Sequence, residues 1–170
     1  MTDQAMKLRW GHININVSNL ENSIEFYRKL GFESFIPAIP YLGITAEVDP
    51  KPIDTGSNTA LGLPNESTAR ACIMQLDNGF PKIDLTEFSD ISQRSQAKPL
   101  NNADLGLVRI CLASANLNTD YEQLVKQGVE FISPPQIAKD GLAEIATCID
   151  PDGTLIELLQ VHLEKWPRLE

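Results

Sequence analysis

Leu8-Arg9-Trp10-Gly11-His12-Ile13-Asn14-Ile15-Asn16-Val17, followed by Ser18-Asn19-Leu20, is the stretch from which the fold is read. Ile13, Ile15 and Val17 share one parity and His12, Asn14 and Asn16 the other, the pattern of a strand with one apolar and one polar face. Ser18-Asn19 offers a helix cap. Leu20, Ile24, Tyr27 and Leu30 then fall on one helical face before Gly31 stops the helix and Phe32–Phe35 resumes an extended pattern.

The plan recurs downstream. Leu107–Ala113 alternates, Asn116 can cap a helix bearing Leu117, Tyr121 and Leu124, Gly128 ends it, and Val129-Glu130-Phe131 is extended. Arg109, Leu117 and Gly128 each lie 97 positions after His12, Leu20 and Gly31, so no gap interrupts the repeat. Each half also ends in a hairpin. Ala143–Ile149 turns through Asp150-Pro151-Asp152-Gly153 into Thr154–Gln160, and Arg70–Leu76 turns through Asp77–Pro81 into Lys82–Phe88. Ile83-Asp84-Leu85 precedes Ile156-Glu157-Leu158 by 73, so the first half holds 24 extra residues between Ser34 and Arg70. Five prolines (37, 40, 50, 52 and 64) mark that segment as irregular. The expected organisation is a first βαβββ module at 1–88 with a long inserted loop at 36–69, a polar linker at 89–104, and a second module with a C-terminal tail at 105–170. Ile36, Ile39, Tyr41, Leu42 and Ile44 mark the insertion as a packed lid. The tail, with Trp166 and Leu169, either finishes the fold or packs on a partner subunit.

The 170 residues suffice for one domain or two small subdomains. With 42% hydrophobic and 22% charged residues the composition is that of an ordinary globular protein. A net charge of −9 and a pI near 4.7 argue against nucleic-acid or anionic-membrane partners. No apolar run approaches the roughly 20 residues of a bilayer span, and the first residues lack a signal peptide's apolar stretch. The three cysteines, Cys72, Cys111 and Cys148, are widely spaced without CxxC and are expected to be reduced, buried thiols. The expectation is a cytoplasmic protein.

Together, His12–Tyr27, Lys29-Leu-Gly-Phe32, Lys126–Phe131 and Asp150-Pro-Asp-Gly-Thr-Leu-Ile-Glu157-Leu resemble the vicinal oxygen chelate superfamily, the glyoxalase, bleomycin-resistance and extradiol dioxygenase group, over about residues 8–160. The resemblance implies an α+β fold of two tandem βαβββ modules whose sheets form a shared cavity, a small-molecule substrate or ligand, and a homodimer. It also implies a divalent-metal site with ligand positions at His12, Asp84, Arg109 and Glu157. His12, Asp84 and Glu157 form a three-ligand set, but Arg109 stands where metal-binding members carry a second His. A guanidinium has no lone pair to donate, so it cannot ligate. His162, five positions after Glu157, has the opposite strand parity and is expected to face away, which disfavours a two-His-one-carboxylate iron site and dioxygenase activity.

Arg109 has two other uses. It can pair with Asp84 and Glu157 and depress both carboxyl pKa values, or it can bind a substrate carboxylate or phosphate. Without Arg or metal beside them, one of the two carboxylates has its pKa raised and can act as a base. Glu87, of opposite parity to Asp84, is expected to face helix or solvent. Asn14, Asn16 and Cys111 are candidate ligand-binding residues, although a buried, inert Cys111 is the simpler reading. The leading functional expectation is a glyoxalase-like lyase or isomerase acting by proton abstraction next to a carbonyl. Glu157 is the candidate base, and Arg109 and His12 are its catalytic companions. The alternative is a metal-free small-ligand binding or resistance protein of the bleomycin-resistance type.

Overall fold

A computed structural model describes residues 8–89 and 101–166. The chain divides into two compact units, residues 1–93 and 94–170. In the first, β1 (His12–Asn16) leads into helix α1 (Leu20–Lys29), β2 (Glu33–Ile36), β3 (Ala38–Ile39), β4 (Ile44–Thr45), β5 (Lys51–Pro52), helix α2 (Thr55–Leu61), β6 (Thr68–Gln75) and β7 (Lys82–Phe88). The second runs β8 (Arg109–Ala113), helix α3 (Leu117–Lys126), β9 (Glu130–Phe131), β10 (Gln136–Ile137), β11 (Ala143–Ile149) and β12 (Leu155–Val161). The sheets are ordered β1-β7-β6-β2, with β5 also on β6, and β10-β11-β12-β8, with β9 also on β11. In each, only the first and last strands of the module pair in parallel. These are two mixed-sheet, βαβββ-like α+β modules.

The repeat extends to hydrogen-bond register. His12 lies opposite Lys82 and Asn14 opposite Asp84, while Arg109 lies opposite Leu155 and Cys111 opposite Glu157. Both helices begin and end alike. The side chains of Asn19 and Asn116 accept from the backbone N–H groups of Asn22 and Thr119, satisfying orphan donors of the first turn. Gly31 and Gly128 have φ of +92° and +80°, and the following N–H groups, of Phe32 and Val129, reach back to the carbonyls of Tyr27 and Leu124. That is a Schellman closure, for which glycine is favoured because it enters the left-handed region without a Cβ clash. The buried stripe of α1 is Leu20, Ser23, Phe26 and Tyr27, whereas Ile24 and Leu30 are only half-buried. The stripe is rotated from the expected one because Phe26 and Tyr27 together aim at the sheet.

The expected irregular loop at 36–69 is instead a folded subdomain. The β3–β4 hairpin closes through a 3-10 turn at Pro40–Leu42, β5 joins β6, and α2 is capped by the Asp54 side chain, which accepts from the Ser57 N–H at 3.0 Å. Ile39, Leu42, Ile44 and Ile53 are buried against Ala69 and Ala71. Those alanines share the parity of Ile73, whose register partner is Asp84. The insertion therefore packs on the face of the first sheet that carries Asp84, and the small side chains of β6 let it approach closely.

In the second module Asp150 is buried, and its Oδ1 accepts from the N–H groups of Asp152 and Thr154 at 2.9 and 2.7 Å, which builds the Asp-Pro-Asp-Gly turn. After β12 a short 3-10 turn at Leu163–Lys165 brings the Trp166 indole N–H to the Leu142 carbonyl at 3.1 Å, so this part of the tail closes on its own module. Leu169 and residues 90–100 of the expected linker lie outside the described residues. No helix among the described residues is long and apolar enough to cross a membrane.

Candidate functional site

On the first sheet, strand parity puts His12, Asn14 and Asn16 of β1 on one face with Lys82, Asp84 and Thr86 of β7. His12 Nδ1 stands 3.6 Å from Asp84 Oδ2. The Asp84 side chain is 1% exposed, and among the described residues neither carboxylate oxygen has a hydrogen-bond partner. Burial raises its pKa above the ordinary carboxylate value, and the charge of His12 offsets part of the rise. Of the two readings left open for this carboxyl, a pKa depressed by Arg109 or one raised without it, the direction found is the rise, because desolvation without hydrogen bonds outweighs its charged neighbour. Asn14 and Asn16 are tied together: Asn14 Nδ2 donates to Asn16 Oδ1 at 2.8 Å, and the Thr86 hydroxyl donates to Asn14 Oδ1 at 2.9 Å.

Two residues of this face were not singled out from sequence. Lys82 is buried, donates to Gln75 Oε1 at 2.6 Å, and places its ammonium 4.5 and 4.8 Å from the ring centroids of Phe35 and Phe80. Its parity with Asp84 was the available signal. Tyr41, grouped in the sequence with the apolar residues of the insertion, stacks on His12 with centroids 6.4 Å apart and planes at 27°. Burial, and then the charge of Asp84, raise the Tyr41 pKa. Only the fold of the insertion reveals this neighbour.

The corresponding positions of the second sheet are occupied differently. Arg109 Nε donates to Glu157 Oε2, and Arg109 Nη1 donates to Asn102 Oδ1 at 3.0 Å. Cys111 is exposed, which corrects the expectation of three buried thiols; Cys72 and Cys148 are buried. The reason is parity, since Cys111 shares the exposed face of β8 with Arg109 and Ala113 while Leu112 turns the other way. Its thiol pKa is raised by burial of the sulfur and by Glu157, with Arg109 opposing. His162 pairs with Glu144 at 3.1 Å and Glu164 at 3.6 Å.

Behind each sheet lies a second polar constellation. Glu87 Oε2 accepts from the N–H of Leu20, the first residue of α1, at 2.7 Å, and from Arg70 Nη2 at 2.8 Å; Arg70 also forks onto both oxygens of Glu21. Glu87 therefore faces the helix, as its parity predicts. In the second module Gln160 Oε1, 73 positions on, accepts from the N–H of Leu117 at 2.7 Å.

The implied metal does not fit the residues present. A divalent ion needs three or four acceptor ligands. The first module brings together only His12 and Asp84, and in the second Glu157 already accepts from the Arg109 guanidinium. Among the described residues no group of three or more His, Cys, Asp and Glu side chains is arranged to hold a metal ion. No step below is routed through one.

Residues 9–158 match the family model described as the Glyoxalase/Bleomycin resistance protein/Dioxygenase superfamily. No curated protein matches the sequence. Among solved structures, a glyoxalase family protein from Bacillus cereus is similar, with 18% identity, a TM-score of 0.68, and coverage of 95% of this chain and 98% of that one. A member of the same superfamily from Sphaerobacter thermophilus has 20% identity, a TM-score of 0.59 and coverage of 92% and 99%. Glyoxalase I from Zea mays has 18% identity and a TM-score of 0.59, covering 89% of this chain and 44% of the maize chain. At these identities the structural likeness speaks for the fold alone.

Proposed function

The chain belongs to the glyoxalase/bleomycin resistance/dioxygenase superfamily, and from that premise we propose a small-molecule lyase or isomerase that abstracts a proton next to a carbonyl, with Asp84 as the base. The observation that carries this reading is the Asp84 carboxylate itself, buried, beside His12, and without a hydrogen-bond partner among the described residues. A native chain leaves a carboxylate so unsatisfied at a cost of several kcal/mol. The same desolvation makes it a stronger base than a carboxylate in water. Asp84 takes the proton from carbon, and the C–H electron pair moves onto the carbonyl to give an enolate, which is an enediolate where that carbon carries a hydroxyl. The proton then returns to the same carbon, to the neighbouring one, or serves a leaving group, according to substrate.

His12 is the group positioned to pass a proton between the enolate oxygen and Asp84, and its exposed edge admits the substrate. Glu157, the base expected from sequence, accepts a hydrogen bond from Arg109, and this ion pair supports transferring the role to Asp84. The test is hydrogen–deuterium exchange at carbon in D2O, followed by NMR over a panel of 2-hydroxy and 2-oxo carbonyl compounds. Exchange should fall by about 10²–10⁴-fold in Asp84→Asn. Exchange that survives in that variant, or is absent from the wild type across the panel, overturns the assignment.

The second reading, a metal-free binding protein, is favoured by the Arg109–Glu157 pair, which fills a ligand position with a fixed ion pair. It predicts saturable ligand binding with no exchange at carbon and no change on adding divalent metal.

A further inference from the structure

The geometry points to His12 and Tyr41 as the two jaws of a clamp for a planar, conjugated carbonyl compound; the inference rests on the proposed site for its address. The two rings stack on each other, with planes at 27° and centroids 6.4 Å apart, a contact within the range of direct aromatic pairs. A flat group in van der Waals contact with a ring lies about 3.5 Å from it, so a guest enters by parting the two rings to about 7 Å and takes over the stacking that each ring now gives the other. Both jaws are open, with the His12 side chain 43% and Tyr41 58% exposed.

Tyr41 is exposed yet held in place. It sits in the 3-10 turn between Ile39, which is fully buried, and Leu42, 6% exposed, and Gly43 closes the turn at φ +75°. The turn's carbonyls are tied down as well. The Ser57 hydroxyl donates to the Tyr41 carbonyl at 3.2 Å and the Asp54 N–H to the Leu42 carbonyl at 3.3 Å. An aromatic ring that buries little itself but is carried on anchored neighbours serves what comes between it and His12. The second module lacks the insertion and has Arg109 in place of His12, so the clamp belongs to the first module alone. Asp84 brings a carboxylate within 3.6 Å of His12, so an anionic guest between the rings would meet like charge and the guest is taken to be neutral.

Acetophenone and cyclohexyl methyl ketone make the discriminating pair, since both carry hydrogens next to a carbonyl and only the first is planar and conjugated. Each is titrated into the full chain and its own proton resonances are followed by NMR. Acetophenone should bind about tenfold more tightly, the value of one to two aromatic contacts, and its ring protons should move upfield, the signature of a guest between two ring faces. Tyr41→Phe should keep both effects. Tyr41→Leu, which leaves the buried neighbours untouched, should lose the upfield shift and the preference. Equal affinity for the two ketones, no upfield shift, no saturable acetophenone binding, or full retention in Tyr41→Leu each overturns the clamp. Exchange of the methyl hydrogens, read in D2O from the same samples, separates the two claims. Binding with the upfield shift but no exchange upholds the clamp and counts against Asp84 as base, whereas exchange indifferent to Tyr41→Leu overturns the clamp and leaves Asp84 standing.

Discussion

At the scale of single residues, Asp84 carries a sign that can be tested without knowing a substrate. Its folded-state pKa is raised, so the native chain holds this proton more tightly than the unfolded chain, whose Asp titrates near about 3.9. Stability associated with the group is therefore fully present below the unfolded pKa and is lost as pH rises through the folded pKa. Above the unfolded pKa the native carboxyl is a burden on folding that Asp84→Asn removes. The variant should melt higher than wild type at pH 7, each kcal/mol being worth about 2–4 °C in a chain of this size, and the gap should close toward pH 4. Thermal melts of both proteins from pH 4 to 8 check this, and a variant less stable than wild type at pH 7 would refute it. A buried carboxyl that costs stability is what a stored reactive carboxylate looks like.

At the scale of elements, the contact behind the sheet decides how firmly α1 is held. Glu87 joins two tasks, accepting from the first N–H of the helix and neutralising buried Arg70. Glu87→Ala removes both and leaves Arg70 only the half-exposed Glu21, so a loss of about 2–4 kcal/mol is expected by urea unfolding. Glu87→Gln reproduces what Gln160 does for α3, keeps the helix contact, and should cost less than half of that. Equal losses in the two variants would show the charge to be the dominant part. These contacts also show what could be read in advance. Strands, caps and glycine stops were legible because their signals are local and repeat at a fixed offset, and parity alone turned Glu87 away from Asp84. Of the insertion, Ile39, Leu42 and Ile44 announced that it packs, as it does, but its strands and helix were not legible, because these residues and Ile53 follow neither period 2 nor period 3.6 and take their order from Ala69 and Ala71, distant in sequence. Tyr41 was hidden for the same reason. Cys111 was misjudged because a thiol's usual burial was weighed above the parity it shares with Arg109.

At the scale of the whole molecule, the two modules keep the same register and differ in chemistry. His12 and Asp84 in the first correspond to Arg109 and Glu157 in the second, so a loose pair in one module has a closed ion pair as its counterpart in the other. The insertion adds a second difference. It lays Ile39, Leu42, Ile44 and Ile53 against β6, whose opposite face carries Cys72 and Met74, both buried. The β6–β7 hairpin thus has apolar cover supplied from within its own module on both faces, and β11–β12 has no counterpart of the insertion. Apolar cover excludes water from ladder hydrogen bonds and sets the free energy at which they open. Amide hydrogen exchange read by mass spectrometry should accordingly be slower in peptides spanning 68–75 and 82–88 than in those spanning 143–149 and 155–161. Breaking the insertion's core with Ile44→Ala, at a cost of about 2–5 kcal/mol, should speed exchange in the first hairpin far more than in the second. If the second hairpin proved the slower, or if Ile44→Ala left 68–75 unaffected, the insertion would be a passive appendage and the placement of Tyr41 beside His12 would lose its structural foundation.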